Sequence, residues 1–171
     1  IGNFPPPEAR DFLARAAAIL GPGGRFLIGV DLQKDVRLLD AAYNDSRGVT
    51  AAFNRNLLIR ANRELGADFD PEAFAHRARY DPESGCMRLH LISRSRQSVR
   101  IGGHRIDFAA GESIHTEDSY KYTMEGFRSL ARAAVSTSLS PRPERFTRIV
   151  GGTCPASAAR CPRRRAPARA C

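Results

Sequence analysis

The sequence predicts an α/β fold: a crossover piece with a buried, parallel-type strand, then helices and an antiparallel meander, then a returning helix. Three observations predict this. A helix-period stretch over residues 9–20 passes through a tight glycine turn into the nearly continuous apolar run Arg25–Leu32, and helix, turn and buried strand make half of a right-handed crossover unit. From His76 onward the hydrophobic period changes from helical to two over several short segments, as antiparallel strands require. A helix-period segment then returns after Thr123. The chain divides accordingly into a crossover piece over residues 1–32, helices and a meander over 33–122, a returning helix over 123–135, and a basic tail over 136–171.

Each element has a local reason. Pro5, Pro6 and Pro7 suit the approach to a helix, because proline is tolerated in the first turn. Phe12, Leu13, Ala16, Ile19 and Leu20 then fall on one helical stripe, Gly21 is a natural terminator, and Pro22 blocks continuation. Asp31 ends the apolar run, where an acidic side chain either caps the chain or borders a ligand crevice. Lys34–Tyr43 reads as a short helix. Gly48–Leu65 reads as a longer one, with Val49, Phe53, Leu57 and Ala61 in helical register, Leu58 widening the stripe and Gly66 closing it. Asn54 and Asn56 are unusual inside a helix, since asparagine competes for backbone hydrogen bonds. Asp68-Phe69-Asp70-Pro71 is a turn and cap before Glu72–His76. Segments 76–80, 87–93, 98–101 and 104–108 alternate and are joined by the turns Asp81–Gly85 and Gly102-Gly103. Thr123 caps the last helix.

The stretch Ile114–Tyr122 completes the meander and is the most polar of its strands. With period two, one face carries Ile114, Thr116, Asp118, Tyr120 and Tyr122, and the other His115, Glu117, Ser119 and Lys121. A carboxylate and a hydroxyl two residues apart on one face can grip a small ligand bearing N–H groups. The same pattern suits a solvated edge strand.

Composition narrows the partners. The net charge is +9, yet residues 136–171 hold eight Arg and only Glu144 as an acid, which leaves +2 for residues 1–135. The basic charge therefore belongs to an Arg/Pro/Ala/Ser-rich tail, expected to be disordered. A whole-chain case for nucleic-acid binding fails, and the tail lacks the interleaved aromatics of a single-strand binder. No apolar run of about 18 residues exists to cross a membrane. Three of the four cysteines (Cys154, Cys161, Cys171) lie in the tail, Cys86 in the body, with no zinc spacing, which points to reduced thiols and a cytoplasmic setting. The opening Ile1–Pro7 has neither an initiator Met nor a signal-peptide pattern and reads as a start inside a longer protein.

Five separated segments, in order, carry a resemblance. They are Ile1-Gly2-Asn3-Phe4, Gly21–Asp31 (GPGGRFLIGVD), Ala41-Ala42-Tyr43-Asn44-Asp45, Gly48–Asn54 (GVTAAFN) and His115–Tyr122 (HTEDSYKY). Together they resemble the histidine-specific Nα-methyltransferases, which use S-adenosylmethionine (SAM) to trimethylate the α-amine of L-histidine in the first step of ergothioneine biosynthesis. The resemblance runs from residue 1 to about residue 134. It implies a partial Rossmann-like class I methyltransferase core (residues 1–32 and 123–135) with an inserted substrate-binding domain (33–122), and a protein that is monomeric when complete. It implies that Asn3 and Tyr43 hold the carboxylate and α-amine of the substrate, that Glu117 and Ser119 hold the imidazole, and that Met87 lines the pocket wall. The residues themselves also admit plainer roles: a cap for Asn3, core packing for Tyr43 and Met87. In the family the glycine-rich SAM loop and its acidic ribose partner lie upstream of the matched region, so the expectation is a C-terminal fragment, inactive alone, with SAM as methyl donor to the complete enzyme. Two alternatives stand: a relative acting on another amino acid such as tryptophan, and an inactive fragment whose tail binds nucleic acid.

Overall fold

The computed structural model describes residues 1–138 of the 171. The elements run α1 (Pro6–Leu20), α2 (Val36–Tyr43), α3 (Val49–Leu65), a 3-10 turn (Pro71–Ala73), β1 (Phe74–Asp81), β2 (Cys86–Ser93), β3 (Gln97–Ile101), β4 (His104–Phe108), β5 (Ser113–Tyr120) and α4 (Met124–Ser138). This is an α/β chain of helices and antiparallel sheets. The basic tail from residue 139 onward, with Cys154, Cys161 and Cys171, lies outside the described residues.

Local chemistry sets most boundaries as expected. α1 has proline in its first turn, and Gly21 terminates it at φ +68°. Asp35 caps α2 by accepting from the Arg37 N–H. The Asp45 carboxylate accepts from the N–H groups of Val49 and Thr50 at 2.9 Å each and so caps α3; these bonds lower its pKa to about 2. Asp70 caps the 3-10 turn, and Thr123 Oγ1 accepts from the Gly126 N–H at the start of α4.

Three expectations are corrected. The apolar run Arg25–Leu32 is not a buried strand: it carries no regular secondary structure before the bridge at Leu32 and is largely open, with Leu27 98% exposed. A parallel strand needs neighbours from elsewhere in the chain to take its N–H and C=O groups, and the described residues offer this run a single parallel bridge, Leu32 to Tyr122. The meander is not continuous either. β5 returns to pair antiparallel with β2, which gives a three-stranded sheet in the order β1-β2-β5, while β3 and β4 form a separate two-stranded hairpin. That hairpin is tied to the loop after α3: the Arg100 N–H donates to the Asp68 carboxylate and the Asp68 N–H to the Arg100 carbonyl. Lastly, α3 does not bury its Val49–Phe53–Leu57 stripe, which is exposed; it buries Asn54 and Leu58 instead.

Asn54 explains that rotation. Its amide donates to His76 Nδ1 at 2.9 Å and to the His90 carbonyl at 3.2 Å, so α3 docks on β1 and β2 through a polar anchor. Around it the sheet face carries two apolar clusters. Leu39, Ala78, Tyr80, Met87 and Leu89 form one under α2. Leu58, Phe74, Leu91, Val99 and Phe108 form the other between α3 and the hairpin. A third cluster joins α1 to α4 through Leu13, Phe127, Ala131 and Ala134.

Candidate functional site

β5 is the strand that carries the site, and a bulge sets its facing. Leu89 pairs with Glu117 and His90 with His115, so Thr116 is an extra residue and the alternation slips by one. Glu117 and Ser119 stand opposite Leu89 and Met87, on the face covered by α2. His115, expected on that face, turns to the other one, where Nε2 meets Asp118 Oδ1 at 2.9 Å and the ring packs against His90. The Thr116 hydroxyl donates to the Leu89 carbonyl.

The N-terminal segment lies along the open edge of β5. The Tyr120 N–H donates to the Gly2 carbonyl at 2.7 Å, and a Cβ at Gly2 would stand 3.0 Å from the Tyr120 oxygen, so only glycine allows this approach without displacement. The contact places Asn3, whose amide donates to Glu117 Oε1 at 2.6 Å and to the Asp118 carbonyl at 3.1 Å.

Tyr43 arrives from the other side, as the last residue of α2. Asn44 clips that helix end to β1, donating to the Ala78 carbonyl and accepting from the Ala78 N–H at 3.1 Å each. His76 adds a second tie. Its Nδ1 accepts from Asn54, so its Nε2 carries the proton and donates to the Tyr43 carbonyl at 2.9 Å. The Tyr43 ring rests on the Met87 cluster, and its hydroxyl meets Ser119 Oγ at 3.0 Å. Met87 itself is fully buried, the floor beneath Tyr43 in this arrangement.

Four of the five residues named from sequence therefore converge in two bonded pairs, Asn3 with Glu117 and Tyr43 with Ser119, and the fifth supports one of them. The sequence reading assigns no role to a further member, Lys121. Its side chain is 1% exposed, and its ammonium donates to the Tyr43 hydroxyl and Ser119 Oγ at 2.6 Å each and pairs with Asp31 Oδ2 at 3.1 Å. The ammonium also lies 4.8 Å from the centre of the Tyr43 ring. Burial pushes the Asp31 carboxyl up, but Lys34 and Lys121 outweigh it and hold the group below its ordinary value. Lys121 is fastened through its backbone as well: its N–H donates to the Gly85 carbonyl at 2.7 Å and its carbonyl accepts from Gln33 Nε2. The signal for Lys121 lay in its register, two residues beyond Ser119 on the face of Glu117.

The arrangement offers a carboxylate oxygen, two hydroxyls and an amide within one small region, backed by a buried cation. It can recognise a compact ligand with both N–H donors and a lone-pair acceptor. Among the described residues no group of three or more His, Cys, Asp or Glu side chains is placed to hold a metal, and no helix is long and apolar enough to cross a membrane.

The family model for histidine-specific, SAM-dependent methyltransferases matches residues 1–140. The histidine N-alpha-methyltransferase of Mycolicibacterium smegmatis is 46% identical over 127 residues, 73% of this chain and 40% of that protein. Its namesake from Mycobacterium tuberculosis is 45% identical over 124 residues, 71% of this chain and 39% of that protein. The ergothioneine biosynthesis protein 1 of Neurospora crassa is 30% identical over 164 residues, 82% of this chain and 19% of that protein. The chain spans about two fifths of the length of the two bacterial relatives. Since the match takes in all the described elements and every residue of the polar cluster, the chain belongs to the SAM-dependent, histidine-specific methyltransferase family.

Proposed function

We propose that this chain is the substrate-holding portion of a SAM-dependent methyltransferase that converts the α-amine of L-histidine to trimethylhistidine, the first step of ergothioneine biosynthesis. The observation that carries this reading is the convergence of Asn3, Tyr43, Glu117 and Ser119, drawn from three distant parts of the sequence. Glu117 accepts the imidazole N–H and Ser119 bonds the other ring nitrogen. Asn3, now bonded to Glu117, exchanges partners to take the amino-acid end, and Tyr43 joins it by offering its remaining lone pair to the α-amine while still donating to Ser119. Met87 backs Tyr43 from below. Methyl transfer is an in-line displacement on a sulfonium carbon, so the protein's main task is to hold a neutral amine in line. Glu117 and Ser119 together separate this reading from a tryptophan-type substrate, because an indole has an N–H to give but no lone-pair nitrogen for Ser119 to bond.

The same reading divides the chain into a Rossmann-like core, residues 1–32 and 123–135, and an inserted substrate unit, 33–122. Support comes from the point where the two meet. The Gln33 N–H donates to the Tyr122 carbonyl and the Tyr122 N–H to the Asp31 carbonyl, at 3.0 Å each, so the insert leaves and returns side by side. α1 and α4 pack together on the core side.

SAM is the methyl donor implied by the family, but the described residues do not fit its nucleotide. The glycines at 21–24 form the tight end of α1: a Cβ on Gly24 would lie 2.6 Å from the Leu20 carbonyl oxygen, and the N–H groups of Gly21 and Gly24 are already given to the Ala17 and Gly21 carbonyls.

Calorimetric titration with histidine, with and without SAM, tests the proposal on this chain and on a form extended to the length of the bacterial relatives. The expected result is histidine binding without methyl transfer by the 171-residue chain, and trimethylhistidine formation by the extended form. Methyl transfer by the short chain overturns the division of labour; no histidine binding by either form overturns the substrate.

A further inference from the structure

The buried ammonium of Lys121 fixes which hydrogens its neighbours have left to give. A lysine has three N–H donors and no acceptor, and all three are used, on the Tyr43 hydroxyl, Ser119 Oγ and Asp31 Oδ2. Each hydroxyl oxygen therefore already accepts one bond. The two hydroxyls also share a hydrogen bond of 3.0 Å. A phenol is the stronger acid and the weaker acceptor of the pair, so Tyr43 donates and Ser119 accepts. Ser119 Oγ then has both lone pairs filled, by Lys121 and Tyr43, and only its own O–H remains to be offered outward.

We propose that Lys121 is the specificity-determining residue of the ring-binding end of this site: by filling one acceptor position of Ser119, with Tyr43 on the other, it turns that side chain into an obligate donor, so that the site takes the neutral imidazole in one tautomer, with its N–H toward Glu117 and its lone-pair nitrogen toward Ser119. The inference rests on the histidine reading above and deepens it. An imidazolium has two N–H donors and no acceptor, so one of its protons would face the Ser119 O–H.

The surrounding charges are consistent with a counterweight role. Glu117 alone would favour imidazolium. Facing Lys121 are Asp31 from the segment before α2, with Lys34 on its far oxygen, Tyr43 from α2, Tyr80 from β1, and Ser119 from β5. His115 and Asp118 occupy the opposite face and pair with each other. Asp31, Glu117, Lys34 and Lys121 carry no net charge together. Without Lys121 the set is net negative and attracts the protonated ring.

The test is the pH profile of histidine binding between pH 5 and 7.5, on the 171-residue chain and its extended form. With an ordinary ring pKa near 6.5, binding of the neutral ring alone makes the wild-type affinity about 30-fold weaker at pH 5 than at pH 7.5. In Lys121→Met the ratio is expected to fall to about threefold or less, because Ser119 regains an acceptor and the local charge becomes negative. Ser119→Ala is the second variant. It removes the donor and the clash together, and is expected to weaken binding at pH 7.5 while flattening the profile in the same way. Circular dichroism melts establish that each variant is folded; Asp31 keeps Lys34 as a partner when Lys121 is replaced. A purely structural role for Lys121 would weaken binding equally at every pH. A wild-type-like slope in both variants, or a flat wild-type profile, overturns the proposal while leaving histidine as ligand. Failure of every form to bind histidine removes the substrate reading and this inference with it.

Discussion

Two regions of this molecule are built from similar apolar residues and end in opposite states. On the three-stranded sheet, Phe74, Met87 and Leu91 are completely buried. Along the segment between α1 and α2, Leu27 is 98% exposed and Phe26 about half, and Ile19 near the end of α1 is 85% exposed. Hydrophobicity does not separate them; the source of the backbone's partners does. β1 and β2 are joined by a four-residue turn and pair over their whole length, and β5 comes back to the free side of β2. Antiparallel strands close on near neighbours in sequence, whereas a parallel strand depends on crossovers from elsewhere. The apolar run Arg25–Leu32 has its side chains ready and, among the described residues, a single bridge to hold it.

That contrast can be broken by substitution. Leu91→Ala, at a fully buried position between α3 and the hairpin, is expected to cost about 3 kcal/mol in denaturant unfolding, as cavity-forming leucine losses do. Leu27→Ala should change stability by less than about 0.5 kcal/mol; a loss as large as that of Leu91 would mean that the segment is packed after all. Glu117→Ala sharpens the difference between framework and site. It should lower histidine affinity about 30-fold, the worth of a charge-assisted hydrogen bond of about 2 kcal/mol, with little change in melting temperature. The smallest effect concerns the α3 cap. The Asp45 pKa is lowered from 3.8 to about 2 by the N–H groups of Val49 and Thr50. Its folded value lies below its unfolded one, so the stabilisation is complete above pH ~4 and is lost as the pH falls through about 2. The gap in melting temperature between wild type and Asp45→Asn should therefore close between those two pH values. A gap that is constant with pH would show that the carboxylate charge contributes nothing to the cap.

Much of this was legible beforehand because it is local. Gly21 and Gly66 end their helices, Thr123 begins one, and Asp81–Gly85 turns a hairpin, each by chemistry contained in a few residues. Glu117 and Ser119 stand out from strand alternation as a carboxylate and a hydroxyl on one face, but Asn3 and Tyr43 are nameable only through the pattern of five separated motifs, since no local rule brings residue 3 to residue 117. What the local pattern does not show is set by tertiary pairing. The extra residue at Thr116 reverses His115 without any glycine to announce it. Asn54 looked like a flaw in a helix and proves to be its anchor, because its partners His76 and His90 lie on strands that local reading cannot place beside it. Lys121 looked like one more charge on a solvated edge; its burial follows from Asp31, Tyr43 and Ser119 meeting around it.

On the proposed division of the chain, with residues 33–122 as a substrate unit inserted in a core, the double tie at Asp31, Gln33 and Tyr122 has a consequence for how such a protein can change. A unit whose first and last residues are already hydrogen-bonded to each other presents the same two endpoints to its host whatever happens between them. Added or lost length inside it costs the host little, since closure entropy grows only slowly with loop size. Substrate preference can then drift, by rebuilding the hairpin or trading residues on β5, while the surrounding scaffold keeps its geometry. The adjoining ends act as a socket, and the chemistry of recognition is what is plugged into it.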